Sequence, residues 1–335
     1  MISGGYMNNF QNIPWNNIVK FGQRTMLNSD LFAVSWILGR FCNYKCSYCW
    51  PYARSDTLDF NNIEVYKRAV DEIKKQARAN GFNRFHWSFS GGEPTTFKQL
   101  PELVKHLDDG IITPYQSVHM TTNLSPSKNW WRNWCNNTDM MQRRSITASY
   151  HAEFAKEAEF ADKCLFLMDN MVYVTVNQVM APEIFYELYE RCDRLHRKGI
   201  NVTLKPQSDP TASKVVYGYT DEMIHLMQTG FPQQALGEDL YQIELVDSSG
   251  NLHMFDQAER FNAFGFNKFN GWSCNSGYQS VIIRSNEVKR SYSCHDAPLG
   301  TLTDGFKLFD SPVTCSTSSC VSSADSKIPK RRTDV

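Results

Sequence analysis

The sequence predicts an α/β protein: a partial (β/α)6 barrel of the TIM type, followed by a smaller region built on β-hairpins. Three observations carry this. From Leu31 to Gln207, short apolar runs of strand character alternate with amphipathic stretches at helical spacing. Strand–helix–strand units of these lengths imply right-handed crossovers and a parallel sheet. After Gln207 the rhythm breaks, and from Tyr241 the apolar runs pair around turn residues instead.

The elements follow in order. LFAVSWIL (31–38) reads as the first strand and leads into a loop with three cysteines. Residues 63–80 carry apolar side chains at helical spacing. FHWSFS (85–90) is a strand ending in Gly91-Gly92, and LPELVKHL (100–107) is helical. SVHMTTN (117–123) and SITASYH (145–151) are the third and fourth strands, and an amphipathic stretch runs from Glu153 to about Asn170. VYVTVNQVM (172–180), a helix over 182–198 and INVTLKPQ (200–207) complete about six units. Beyond them lie a helix in TDEMIHLMQTG, a hairpin in YQIELVDSSGNLHMF and a second in YQSVIIRSNEVKRSYSC. The expected organisation is an N-terminal arm (1–30), the barrel (31–208), a connector with a hairpin (209–270), a small hairpin-containing domain (271–322) and a flexible, solvated tail (323–335).

The chain of 335 residues is 41% hydrophobic and 13% aromatic, which suits a globular protein. Lys plus Arg and Asp plus Glu both total 35. The balance argues against a bulk electrostatic grip on nucleic acid or an anionic membrane. No apolar run is long enough to span a bilayer, and the N-terminus lacks the basic start and apolar core of a signal peptide. The expected compartment is the cytoplasm, where disulfides are disfavoured. Ten cysteines therefore need another explanation. Cys42, Cys46 and Cys49 form one group, and Cys274, Cys294, Cys315 and Cys320 a second. Cys135, Cys164 and Cys192 stand alone and read as small buried apolar residues.

The first group reads C-N-Y-K-C-S-Y-C-W, three thiols on one loop directly after a strand. Thiolates are the usual ligands of Fe–S clusters, and three of them leave one iron of a cubane open. A zinc site is the alternative, but structural zinc wants four ligands, and nothing local supplies a fourth.

The spacing C-x3-C-x2-C, with Tyr48 just before the third cysteine, resembles the signature of the radical S-adenosylmethionine (SAM) superfamily. Ser90-Gly91-Gly92-Glu93-Pro94, at the end of the second strand, resembles that family's GGE motif. The resemblance implies a [4Fe–4S] cluster with an open iron on Cys42, Cys46 and Cys49, and SAM bound to it. It also implies that Tyr48, Gly91, Gly92, Glu93, Thr122, Asn123 and Ser149 surround SAM; Thr121-Thr122-Asn123 resembles the family's TTN segment. Asn177, Gln178, Lys205 and Gln207 would point toward the same mouth. His151 and Lys205 are candidate substrate contacts or proton-transfer groups.

The stretch from Gly271 to Cys294, with Gly277 and Leu299-Gly300-Thr301-Leu302, resembles the start of the SPASM and twitch extensions of that family. Ser285-Asn286-Glu287 stands where the family usually turns on a glycine; Asn tolerates left-handed backbone. With no cysteine after Cys320, twitch is the better label. The resemblance implies an auxiliary [4Fe–4S] cluster on Cys274, Cys294, Cys315 and Cys320; a four-Cys zinc staple is the alternative.

The implied function is reductive cleavage of SAM to a 5′-deoxyadenosyl radical that abstracts hydrogen from a substrate. The auxiliary cluster would then accept an electron, for a net oxidation; epimerisation, as by an isomerase, and cross-linking are the alternative outcomes. A reducing partner such as flavodoxin or ferredoxin is implied. The few residues before the first strand leave no room for a leader-binding domain, which tilts the expectation to a small-molecule substrate over a ribosomal peptide. The alternative of another class is a non-catalytic electron-transfer or zinc-stapled binding protein.

Overall fold

The computed structural model describes residues 15–50, 53–108, 116–210, 215–232, 243–255, 265–295 and 298–333. The first fourteen residues of the expected arm, and parts of the expected connector, lie outside these. Six strands form the expected parallel array in sequence order: β2 (Leu31–Ile37), β3 (Arg84–Ser90), β4 (Gln116–Thr122), β5 (Arg143–Ser149), β6 (Tyr173–Met180) and β7 (Asn201–Pro206). Every neighbouring pair is parallel. Among the described residues the sheet does not close into a full barrel, and β7 is at its edge.

Helices α1 (Ile63–Ala79), α2 (Leu100–His106), α3 (Lys128–Asn137), α4 (Glu157–Asp169) and α5 (Phe185–Arg197) supply the crossovers. The Asn62 side chain caps α1 by accepting from the Glu64 N–H at 2.9 Å. Ile63, Tyr66, Val70 and Ile73 then fall on its buried face, each large group contributing about 1.5–3 kcal/mol relative to exposure. Along the strands, one alternate set (Trp36, Phe85, Trp87, Phe89, Met120, Ile146, Val176) is buried in the main core. The other set faces the concave side and is polar on most strands. Cys135, Cys164 and Cys192 are buried, in keeping with a packing role.

Two elements escape sequence reading. α3 is KNWWRNWCNN, a segment of weak helix formers. It holds because Ser127 caps it and Trp131, Trp134 and Cys135 share one buried face. β1 (Ile18–Gln23), inside the expected arm, pairs with two strands from distant parts of the chain. It belongs to a second, antiparallel sheet of order β15-β10-β16-β1-β8-β9. The further strands are β8 (Ile243–Asp247), β9 (Leu252–Phe255), β10 (Ser273–Cys274), β15 (Val313–Thr314) and β16 (Lys330–Arg331).

The region 271–322 is shared between the two sheets. β11 (Ser280–Arg284) pairs parallel with β2, from Ser280↔Ala33 to Arg284↔Ile37. β12 (Glu287–Lys289), β13 (Gly300–Thr301) and β14 (Gly305–Phe306) extend that array to ten strands. The Gln279 amide donates to the carbonyls of Met26, Ser29 and Leu31, pinning the start of β11 to the start of β2. In the β11–β12 turn the left-handed residue is Ser285 (φ 53°), not Asn286. Ser285 is held there by its N–H to the Ile37 carbonyl at 3.1 Å. The Asn286 amide donates instead to Thr303 Oγ1.

The expectation of a solvated tail at 323–335 is overturned. A short helix, α6 (Ser323–Ser326), precedes β16, which lies between β10 and β1. Lys330 is fully buried, its ammonium donating to the carbonyls of Asp325 and Ile328 at 2.8 Å each and lying 4.6 Å from the Phe269 ring centroid. Its charge reads as a tail signal in sequence, but backbone carbonyls and an aromatic face satisfy it inside. Ile328→Ala, at a site 5% exposed, should therefore cost about 2–5 kcal/mol. Val321→Ala, at a site 72% exposed, should stay within about 0.5 kcal/mol. Denaturant unfolding of the two variants measures this; equal stabilities would return the segment to the status of a tail.

Candidate active site

The loop after β2 is fixed at its root before any cysteine is reached. Asp59 accepts the Arg40 N–H with both carboxylate oxygens, at 2.9 and 3.1 Å, and the Phe41 N–H at 3.4 Å. The Ser55 N–H donates to the Arg40 carbonyl at 2.8 Å. From the other side come the two glycines after β3. The Gly92 N–H donates to the Gly39 carbonyl at 2.9 Å, and the Glu93 N–H to the Phe41 carbonyl at 2.8 Å. Gly91 takes φ 134°. A Cβ at Gly92 would collide with the carbonyl oxygens of Arg40 and Phe41. The contact present is with the cysteine loop's own backbone.

Glu93 is 1% exposed, and four donors converge on its carboxylate. Oε1 accepts from the Thr95 N–H (3.0 Å), the Thr95 hydroxyl (2.6 Å) and the Thr122 hydroxyl (2.8 Å); Oε2 accepts from the Asn123 N–H (2.6 Å). Burial pushes its pKa up, and those hydrogen bonds oppose the rise. Glu93 thus ties the end of β3 to the end of β4. From there Asn123 Nδ2 donates to Asn43 Oδ1 at 3.0 Å, inside the cysteine loop. Thr122 and Asn123, read as SAM contacts, are 2% and 4% exposed, and here they join Glu93 to that loop.

A third attachment comes from the turn after β5. Glu153 accepts the Ser47 N–H with both oxygens (3.2 and 3.1 Å) and the Ser47 hydroxyl (2.8 Å). His151 Nδ1 lies 2.7 Å from the Tyr48 hydroxyl and 3.2 Å from Cys46 Sγ. The imidazole stacks on the Tyr48 ring, and Tyr44 stacks on Phe154. Burial lowers the His151 pKa to about 4. His151, read as a catalytic candidate, touches the cysteine loop directly.

Cys42 and Cys46 are half-buried and Cys49 is exposed; none is in a disulfide. Burial raises all three thiol pKa values, that of Cys46 to about 12. Neighbouring thiols add to the rise at Cys42 and Cys46. Three thiolates held this close repel one another unless a cation sits among them, so the donor set fits a metal centre. Among the described residues, no three His, Cys, Asp or Glu side chains converge on one point as the ligands of a single ion do. The thiolates of a cubane bind separate irons and need not converge.

The second group lies at the opposite end of the barrel strands. Cys274 ends β10, ahead of the start of β11, which pairs with the start of β2. Cys315 is tied by its N–H to the Trp272 carbonyl (2.7 Å), and Cys320 by its N–H to the Asn267 carbonyl (2.8 Å). Cys274, Cys315 and Cys320 are buried and Cys294 is half-buried. Burial raises the Cys320 pKa to about 12, with Cys274 and Cys315 contributing, and the same two thiols act on Cys294. The four therefore share one neighbourhood.

Ser149 ends β5 opposite Asn177 on β6, and both face the concave side, as Lys205 does at the end of β7. Gln178, expected beside Asn177, is 1% exposed on the opposite face; consecutive strand residues cannot share one face. Sequence reading missed Asp59, Asn43 and Glu153. An isolated acid or amide in a loop has no periodic or spacing signal.

The radical SAM superfamily profile matches residues 36–205. A Methanosarcina barkeri (strain Fusaro / DSM 804) protein named Fe-coproporphyrin III synthase is 37% identical over 76 residues, 22% of this chain and 17% of that protein. Among solved structures, anSMEcpe with bound AdoMet superposes with a TM-score of 0.51 at 15% identity, covering 82% of this chain and 79% of that one. Native anSMEcpe with AdoMet and the Kp18Cys peptide gives 0.50 at 16% identity, covering 82% and 78%. These superpositions establish likeness of fold.

Gly92→Ala should displace the cysteine loop and cost more than about 2 kcal/mol. Gly81→Ala, with nothing within 4 Å of its Cβ, should cost about 1 kcal/mol through its positive φ alone. Thermal unfolding compares them, and a Gly92→Ala protein as stable as the Gly81→Ala control would refute the close contact. Glu93→Gln must set an amide NH2 against at least one N–H or hydroxyl donor. The expected loss is about 1–3 kcal/mol, and wild-type stability would show that the carboxylate does not join the two strand ends.

Proposed function

The chain belongs to the radical SAM superfamily, and from that premise we propose that it reductively cleaves SAM and abstracts hydrogen from a substrate held in the concave face of the barrel. One observation carries the reading: Cys42, Cys46 and Cys49 sit on a loop locked to the Gly91-Gly92-Glu93 strand end, at the C-terminal mouth of the strands. When bound there, a [4Fe–4S] cluster and SAM supply an electron transfer that breaks a C–S bond and yields a 5′-deoxyadenosyl radical.

The chain's own residues do the rest. Cys42, Cys46 and Cys49 would each hold one iron. Asp59, Glu153 and the Glu93–Asn123–Asn43 chain keep the loop still, so that geometry is set before the cofactor arrives. Tyr48 and His151 close the loop against the turn after β5. Ser149 and Lys205, facing the concave side, are in position to meet SAM or the substrate. Cys274, Cys294, Cys315 and Cys320 would hold an auxiliary [4Fe–4S] cluster that accepts an electron from the substrate, for a net oxidation. We assign a small-molecule substrate, a flavodoxin or ferredoxin as reductant, and the cytoplasm, where thiols stay reduced. No helix among the described residues is long and apolar enough to cross a membrane. A peptide is the second reading, because a solved structure of like fold holds a peptide together with AdoMet.

Anaerobic reconstitution with iron and sulfide, then assay of 5′-deoxyadenosine, tests the proposal. The wild type should bind about eight irons per chain, on the stoichiometry of two four-iron clusters. The variant with Cys42, Cys46 and Cys49 all changed to Ala should bind about four and form no 5′-deoxyadenosine. Turnover in that variant would end the SAM reading. One zinc with about four irons in the wild type would make the C-terminal group a staple and remove the electron acceptor.

A further inference from the structure

The three N-terminal thiols differ in what faces them. Cys42 Sγ accepts the Tyr44 N–H at 3.4 Å. Cys49 Sγ lies 3.8 Å from an acceptor, the Trp50 carbonyl, on an exposed stretch of the loop. Cys46 Sγ faces two side chains able to donate. His151 Nδ1 is 3.2 Å away, and the Tyr48 hydroxyl hydrogen-bonds the same side chain. The two donors are themselves 2.7 Å apart, and all three residues are half-buried.

The pair is held in place from several sides. The imidazole stacks on the Tyr48 ring, with centroids 5.9 Å apart and planes 22° from parallel, and meets the Tyr44 ring edge-on. Tyr44 in turn stacks on Phe154 at 4.9 Å. The backbone is fixed as well: the His151 carbonyl accepts the N–H groups of Phe154 and Ala155 at 2.9 and 2.8 Å, and the Tyr150 N–H donates to the Asn177 carbonyl at 2.9 Å. His151 cannot turn from Cys46 without losing these ring contacts.

The chemistry of the ligand decides where the protons lie. A cysteine that holds iron is a thiolate, and a thiolate only accepts. A bare Nδ1 lone pair 3.2 Å from that sulfur would set one electron pair against another. The arrangement that avoids this puts a proton on Nδ1, shared between Cys46 Sγ and the Tyr48 oxygen, and turns the Tyr48 hydroxyl proton onto Sγ. It holds whether or not Nε2 is protonated too. Two donors then converge on one thiolate. Hydrogen bonds to a cluster's sulfurs draw off negative charge and so favour the reduced state, which carries one electron more.

We infer that His151 and Tyr48 are positioning residues that together hydrogen-bond the Cys46 thiolate and raise the reduction potential of the open cluster. The inference rests on the reading that Cys42, Cys46 and Cys49 hold that cluster. It moves His151 from the substrate to the centre that accepts the first electron. An electron donor of less negative potential then suffices to start SAM cleavage.

Redox titration of the reconstituted protein without SAM, monitored by electron paramagnetic resonance, tests this. The signal to follow is the one that the triple Cys→Ala variant lacks. At a fixed potential near the wild-type midpoint, the ratio of reduced to oxidised cluster should fall about threefold or more in Tyr48→Phe and in His151→Leu. His151→Asn, whose amide can set an N–H near the place of Nδ1, should stay within about twofold of wild type. A packing role predicts the reverse order, because Tyr48→Phe keeps the ring and His151→Asn loses it. A wild-type ratio in either iron-loaded Tyr48→Phe or His151→Leu would overturn the inference, as would a fall in His151→Asn equal to that in His151→Leu. If His151→Leu does not load iron, Tyr48→Phe, which loses only a hydroxyl, decides alone. Formation of 5′-deoxyadenosine by the wild type separates the two readings. Shifted potentials in a protein that forms none would fault the SAM reading alone, and unchanged potentials in a protein that forms it would fault only the role of this pair. Absence of the signal from the wild type would end both.

Discussion

Everything at the mouth of the barrel depends on one backbone contact, that of Gly91 and Gly92 against residues 39–41. Two N–H···O bonds join the end of β3 to the loop leaving β2, at a separation no side chain at position 92 could share. Three thiolates on a free loop would spread apart under their own repulsion. With its root welded to the neighbouring strand, this loop has few alternatives. Asp59, Asn43 and Glu153 then fix it at successive points, so conformational entropy is lost during folding and not at cofactor binding.

This organisation explains which parts were legible in the sequence. β2 to β7 were readable because each has a buried alternate set against helices of amphipathic pattern, and boundaries shifted by only one or two residues. α3 was not, because its Asn-rich composition opposes the helix that its cap and two tryptophans enforce. β1 and β16 were not, because their partners are remote and neither is apolar throughout. The cysteine groups declared themselves by spacing. The role of Glu93 did not, since a motif tells which residues matter and not which way a carboxylate points. Its four donors come from two strand ends that only the folded sheet brings together.

The same sheet separates two kinds of burial. On the helix side, Trp87, Phe89 and Met120 make an apolar layer where volume and shape decide stability. On the concave side, His86, His119 and the serines and threonines around them spend no comparable area on packing. Their hydrogen bonds to one another keep them satisfied. Strand periodicity of two is what lets a single run such as RFHWSFS serve both purposes.

The position of β16 has a consequence for how the molecule is made. Phe21 and Lys330 are register partners, so the sheet carrying Cys274 cannot be completed until roughly 300 residues after its first strand have been synthesised. The strands of the barrel, by contrast, are all present once Pro206 has emerged. Assembly is thus staggered: the loop of Cys42, Cys46 and Cys49 can gain its support once the barrel strands have emerged, whereas the sheet that carries Cys274 must wait for Lys330.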